Sequence, residues 1–244
     1  MTPRRPGPSP PRASTALLLF AKRPEPGRVK TRLARAIGPD AAAALAEAFL
    51  RDGAARWAGV SGVEPVVAAD APDDPFFRSA FPPPWRIEPQ GGGDLGARLA
   101  RAFARELARF PRAAAIGADH PGLPAAGFRR FLGEENAVWP ARDGGYAAIL
   151  LSRPAAERLT SGGAPGAFLF ESIDWSTPRV LAQTLARAQA RGVTLARLPE
   201  TGDVDEPEDL EVLSRDLGAR DRSAADFPRH TGEVLRALRK EASA

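Results

Sequence analysis

The sequence predicts an α/β fold built on a mainly parallel central sheet. Three observations carry this. Short unbroken apolar runs, Thr15–Ala21 and Ala113–Gly117, have the pattern of strands buried on both faces. Such strands alternate with amphipathic helical patterns of about 12–18 residues, the signature of βαβ units. Polar clusters stand at the ends of the strand segments, where open α/β sheets bind their ligands.

The elements follow in order. After Thr15–Ala21, Pro26-Gly27 fits the central positions of a type II turn. A helix opens at Pro39 behind Gly38, with Leu45, Phe49 and Trp57 at helical spacing. Glu64–Ala69 and Arg86–Glu88 read as strands. Leu95–Phe110 is an amphipathic helix, apolar at Leu95, Leu99, Phe103, Leu107 and Phe110. Ala113–Gly117 then runs out toward Asp119. Asn136–Pro140 and Tyr146–Leu151 bracket an ARDGG turn. Thr177-Pro178 fits an N-cap followed by proline, opening a helix with Leu181 and Leu185. Val193–Leu198 is a late strand. Asp205-Glu206-Pro207-Glu208 is a capping-box-like start for a helix carrying Leu210, Leu213 and Leu217. Residues 1–14 read as a disordered Pro/Arg-rich head, 15–217 as one domain, and 218–244 as a tail with a short helix around Val234–Lys240.

Composition removes several function classes. The chain has 244 residues and no Cys, so disulfide frameworks, Cys-zinc sites, iron–sulfur clusters and thiol nucleophiles are excluded. The two His, His120 and His230, are too far apart for a helical metal pair. The apolar run Ala16–Ala21 stops at Lys22, too short for a signal core or a membrane span, which predicts a cytoplasmic protein with no membrane partner. The pI of about 10.2 comes from the termini; residues 15–217 carry near-balanced charge, so no nucleic-acid footprint is expected. One local exception is the stretch 22–35, where Lys22, Arg23, Arg28, Lys30, Arg32 and Arg35 face Glu25 alone. The chain has 31 Arg and three Lys, and two of those Lys lie in this loop. A compact cationic loop in a neutral body suits a di- or triphosphate.

The motifs refine this. Phe20–Leu33 follows a buried strand and can wrap phosphate with backbone N–H groups and cations. It is not a Walker A loop, because Val29 stands where the second Gly is required. In Gly117–Pro124, Asp119 at a strand tip is placed as a magnesium or manganese ligand, or else as a cap for the helix near Pro124. In Pro140–Tyr146, Gly144-Gly145 is a turn that can also hold Asp143 over a cleft. In Gly202–Leu210, Asp203 and Asp205 can join Asp119 at a metal, although Asp205 also fits a helix cap. Gly91–Gly96 matches the outline of a dinucleotide fingerprint, but the preceding WRIEPQ is charged and broken by Pro89, which disfavours NAD.

Together these blocks resemble the bacterial rSAM/selenodomain-associated transferases, glycosyltransferase-like members of the nucleotide-diphosphosugar transferase (GT-A) superfamily. The likeness rests on Phe20-x-Lys22-x-Pro24-x-Pro26-Gly27-x-x-Lys30-Thr31-Arg32-Leu33, then QGGGDLGARL, GADHPGLP, PARDGGY, LFESIDWST and DVDEPEDL, in that order across about residues 15–213. The first block is also similar to the phosphate loop of phospholactate guanylyltransferases. The resemblance implies a GT-A three-layer sandwich and a metal-dependent transferase using a nucleotide-sugar, with an NTP-consuming nucleotidyltransferase or an inactive nucleotide-binding module as alternatives. It implies nucleotide contacts from Lys22, Gly27, Lys30, Arg32, Gly93, Asp94 and Arg98, and Mg2+ or Mn2+ on Asp119 and Asp205. It implies catalytic roles for Asp119, Lys30 and Asp143, the last toward a small-molecule acceptor. Trp139 and Leu150 stand where the family has small residues, which would add bulk on the acceptor side.

Overall fold

The structure is a computed structural model and describes residues 14–224 and 226–241. Nearly all of the expected Pro/Arg-rich head therefore lies outside the described residues. The chain runs β1 (Thr15–Ala21), α1 (Thr31–Ile37), α2 (Pro39–Trp57), β2 (Val63–Ala69), α3 (Pro75–Ala80), β3 (Arg86–Pro89), α4 (Leu95–Leu107), β4 (Arg112–Gly117) and α5 (Ala125–Gly133). It continues β5 (Ala137–Pro140), β6 (Tyr146–Ser152), α6 (Arg153–Arg158), α7 (Ala167–Phe170), α8 (Val180–Ala190), β7 (Ala196–Arg197), α9 (Pro207–Gly218) and α10 (Arg229–Glu241).

The strands form one sheet in the order β3-β2-β1-β4-β6-β5-β7. Only β6 runs against its neighbours; β1 pairs in parallel with both β2 and β4. The sheet is thus mainly parallel, as the buried runs require. Strand side chains alternate between faces. Leu17 and Leu19 of β1 enter one core with Trp57, Phe77 and Phe131 from α2, α3 and α5. Leu18 enters the opposite core with Leu99, Phe103 and Leu169 from α4 and α7. Helices on both faces give the three-layer α/β sandwich.

Several boundaries differ from expectation. The late strand shrinks from Val193–Leu198 to β7, because only residues 196 and 197 pair with β5. The helix expected at Thr177 starts at Val180; the Thr177 hydroxyl donates to the Asp174 carbonyl at 2.7 Å and accepts the Arg179 N–H at 3.3 Å, forming a turn just ahead of the helix. Glu206, not Asp205, holds the cap position of α9, and the Asp209 carboxylate accepts from the Glu206 N–H at 2.9 Å. Helices α1, α3, α5, α6 and α7 are too short to announce themselves by periodicity. Leu150 is fully buried, and Trp139 is nearly so, its edge lining a separate hollow with Gly127, Leu198 and Thr201. Both are buried in the core under α5, where Trp139 lies 6.1 Å from the Phe131 ring. A Cβ on Gly127 would come within 2.7 Å of the Trp139 ring, so the glycine makes the room.

The segment after α9 returns to the body. Helix α10 packs on α2, and buried Asp52 accepts from the N–H groups of His230 and Thr231 at 3.0 and 2.8 Å and from the Thr231 hydroxyl at 2.6 Å. An acidic acceptor at a helix start satisfies orphan donors and complements the helix dipole.

Candidate functional site

The carboxyl ends of β1 and β4 open into a cleft of about 570 Å3. The loop after β1, the start of α4, the loop after β4 and the segment before α9 all reach it. It brings together Lys22, Arg28, Lys30, Arg98, Asp119 and Asp205, with Gln90 and Ser176 on its walls. Residues spread over more than 180 positions of sequence thus meet at one sheet end, the usual ligand position for such sheets.

The first loop is shaped by its backbone. Gly27 has φ +77°, the left-handed geometry expected after Pro26 in a type II turn. Lys30 also adopts φ 47°, ψ 42°, and its carbonyl accepts the Ala34 N–H at 2.8 Å to start α1. That conformation is uncommon for a lysine. Arg23 is drawn away from the cleft, with its Nε 3.0 Å from Asp74 and its backbone N–H donating to Asp70 at 2.8 Å.

Lys30 is the centre of the charge arrangement. Its side chain is 5% exposed, and its Nζ stands 2.5 Å from Asp119 Oδ1 and 3.8 Å from Asp205 Oδ1. The same ammonium donates to the Val204 carbonyl at 2.7 Å. The Val204 N–H in turn donates to the Asp119 carbonyl at 3.1 Å, tying the end of β4 to the segment before α9. Arg32 lies outside this knot, 3.5 Å from both Asp205 and Glu206. Because Glu206 takes the cap, both Asp205 oxygens are left to the two cations.

The glycine-rich segment behaves as a built turn. Asp94 caps α4 through the Ala97 N–H at 2.8 Å, and Gly93 at φ +92° leaves a Cβ only 2.9 Å from Ala97. Arg98 donates from Nε to the Gly93 carbonyl at 2.9 Å and from Nη1 to Gln90 Oε1 at 3.3 Å. Gln90 is buried, and its amide donates to the carbonyls of Ala21 and Ala68 at 2.9 and 2.8 Å. This side chain therefore links the ends of β1 and β2 and aims its oxygen at Arg98. The sequence reading did not single it out, since nothing local says that two strand ends share one amide. The glycine run follows the edge strand β3, not a buried one, contrary to what a dinucleotide turn needs.

Asp143 is not among the residues lining the cleft. Its Oδ1 accepts from the Gly145 N–H at 2.8 Å, closing the β5–β6 turn. Asp143 neighbours Asp203, whose carboxyl is pushed above the ordinary range, first by burial and then by the Asp143 charge. His120 Nδ1 lies 3.0 Å from the Gly202 carbonyl, the place of a packing residue. The Tyr146 phenol is buried beside Thr184, and burial raises it far above its usual range.

Among the described residues no three His, Cys, Asp or Glu side chains converge as a metal cluster. The donor set that does converge is two carboxylates and one carbonyl, all oxygen, and both carboxylates are open to solvent at 54% and 39% exposure. Hard divalent cations accept such a set and complete it with water and phosphate oxygens. The residues fit Mg2+ or Mn2+ on that count. Among the described residues no helix is long and apolar enough to cross a membrane.

Residues 54–177 match the profile of a family described as uncharacterized protein conserved in bacteria, DUF2064. The fold superposes on a protein of Desulfovibrio desulfuricans G20, provisionally named a nucleotide-diphospho-sugar transferase, with a TM-score of 0.77 and 27% identity over 93% of this chain and 98% of that one. A 4-diphosphocytidyl-2C-methyl-D-erythritol synthase superposes with a TM-score of 0.53 and 16% identity over 86% and 100%, a likeness of fold alone. No curated protein matches the sequence.

Proposed function

We propose, from the premise that the chain belongs to the DUF2064 family of uncharacterized bacterial proteins, that it is a nucleotide-utilising transferase moving a sugar from a nucleotide-diphosphosugar to a small-molecule acceptor. The observation that carries this is the single cleft in which four cationic side chains face the Asp119–Asp205 pair. The similarity to the Desulfovibrio protein supports the donor class, and the order of the sequence blocks supports kinship with rSAM/selenodomain-associated transferases.

Lys22, Lys30 and Arg98 of the cleft hold the charge of the nucleotide, with Arg32 added from beside Asp205, outside the cleft lining. Gly27 and Gly93 let backbone approach it, and Asp94 fixes the helix start beside it. Asp119 and Asp205 would hold Mg2+ or Mn2+, which when bound would supply positive charge to offset that of a diphosphate. In the transfer, the bond from the anomeric carbon to the diphosphate oxygen breaks and its electron pair leaves with the nucleoside diphosphate. The acceptor hydroxyl oxygen bonds to that carbon and its proton passes to a base on the acceptor side; the candidate, Asp143, stands outside the cleft lining at the β5–β6 turn, so the acceptor would have to extend to that turn. Cations placed where the negative charge develops lower the barrier without reorganisation. The reaction belongs in the cytoplasm.

Because the fold is shared with the diphosphocytidyl-methylerythritol synthase, nucleotidyl transfer is the competing chemistry. A panel of nucleoside diphosphates, their sugars and the NTPs, each with Mg2+ or Mn2+, separates the two by product. Release of a nucleoside diphosphate supports glycosyl transfer; release of pyrophosphate supports nucleotidyl transfer. A ligand at 100 times its Kd should stabilise the fold by about 2.7 kcal/mol. If no nucleotide raises the Tm and none is consumed, the transferase reading fails.

A further inference from the structure

The chain contains three lysines, Lys22, Lys30 and Lys240, and Lys30 is the buried one. An ammonium has three N–H donors and no acceptor. Three oxygen neighbours surround this one: Val204 O, Asp119 Oδ1 and Asp205 Oδ1. Its stem passes the Phe49 ring, whose centroid is 5.7 Å from Nζ, on the side away from solvent. The carboxylates that it joins are themselves open to the cleft. A positive charge thus occupies the point where the oxygen donors of a hard-cation site converge. The same ammonium, held there, does not reach out to a phosphate.

We infer that Lys30 is a placeholder for the divalent cation. Its ammonium neutralises Asp119 and Asp205 in the free protein and leaves them when the cation binds. The freed ammonium then turns to the phosphates in the cleft; this last clause alone rests on the proposed transferase reading. The competition has a plain physical cause, since one pair of carboxylates cannot give its full attraction to two cations at once. It makes the free protein bind metal weakly and couples metal entry to the movement of one side chain.

Calorimetric titration of Mn2+ without nucleotide tests the competition directly. Lys30→Met should bind Mn2+ at least tenfold more tightly than the wild type. Equal or weaker binding, or no binding by either protein, overturns the placeholder. The substitution removes a buried ion pair and can disturb folding, so a second measurement uses the unaltered protein. Amine acetylation, read by mass spectrometry at the three lysines, should spare Lys30 and mark Lys22 and Lys240. Saturating Mn2+ should expose Lys30 to acetylation and leave the other two unchanged. Lys30 staying protected at saturating Mn2+ overturns the inference. Neither measurement contains nucleotide, so a failed nucleotide panel leaves the placeholder standing, and a failed placeholder leaves the transferase reading standing.

Discussion

Asp203 shows how a single residue can carry a cost that its neighbours impose. Its carboxyl is held above the ordinary range by burial first and by Asp143 second. A folded-state pKa above the unfolded value means that the folded protein binds this proton more tightly. The cost of ionising Asp203 is absent below the unfolded value, about 3.9, and complete above the folded one. Asp203→Asn should therefore raise the Tm relative to wild type at neutral pH, with the gain vanishing as the pH falls through the carboxylate range. A Tm difference that does not change with pH would remove the charge penalty from the account. The Asp-x-Asp pair was legible in the sequence. That Asp205 meets Lys30 while Asp203 meets Asp143 was not, because two side chains on one face of an extended segment find their partners on elements distant in sequence.

At the scale of elements, α10 is held by a residue 178 positions away. Asp52 of α2 accepts three hydrogen bonds at its start, from two backbone N–H groups and one hydroxyl. A helix cap lost to alanine costs about 0.5–2 kcal/mol. Here the buried donors would be left without a partner, so Asp52→Ala should cost about 2 kcal/mol, at the upper end. Urea unfolding measures this, and proteolysis should cut first within residues 219–230. An unchanged midpoint would show that α10 is held by its apolar face alone. The same scale explains which elements the sequence revealed. Long periodic segments such as α2 and α4 were legible, and so were the unbroken runs of β1 and β4. One-turn helices such as α7 carry too few residues to show a period, and β7 exists only because β5 lies beside it.

For the whole molecule, a third apolar cluster matters as much as the two beside the sheet. It joins Leu33 of α1, Leu45 and Phe49 of α2, Val204, Leu213 and Leu217 of α9, and Leu235 of α10. Phe49 faces Lys30, so this cluster forms the wall behind the charge knot. A chain ending at Gly218 loses Leu235 and the partners of Asp52. Full burial of one leucine is worth about 1.5–3 kcal/mol, so the shortened chain should be less stable by at least ~2 kcal/mol. Urea titration of the two chains checks this, and equal stability would make α10 an appendage. The near-neutral body with one cationic loop was readable from composition. The return of the final helix to the site's back wall was not, because the pairing of α10 with α2 is a contact between distant parts of the chain.

The sequence by itself determined the α/β class, the parallel centre of the sheet and the cationic loop after its first strand. Each rests on local physics: unbroken apolar runs, helical periodicity, turn residues and the placement of charge. It also nominated Lys30 for phosphate and Asp119 with Asp205 for one metal. Only the tertiary structure decided that the Lys30 ammonium sits between Asp119 and Asp205, that Gln90 ties two strand ends to Arg98, and that Trp139 and Leu150 pack into the core under α5. Those outcomes depend on which strand lies beside which and which face a residue takes, and neither is written in any local stretch of sequence.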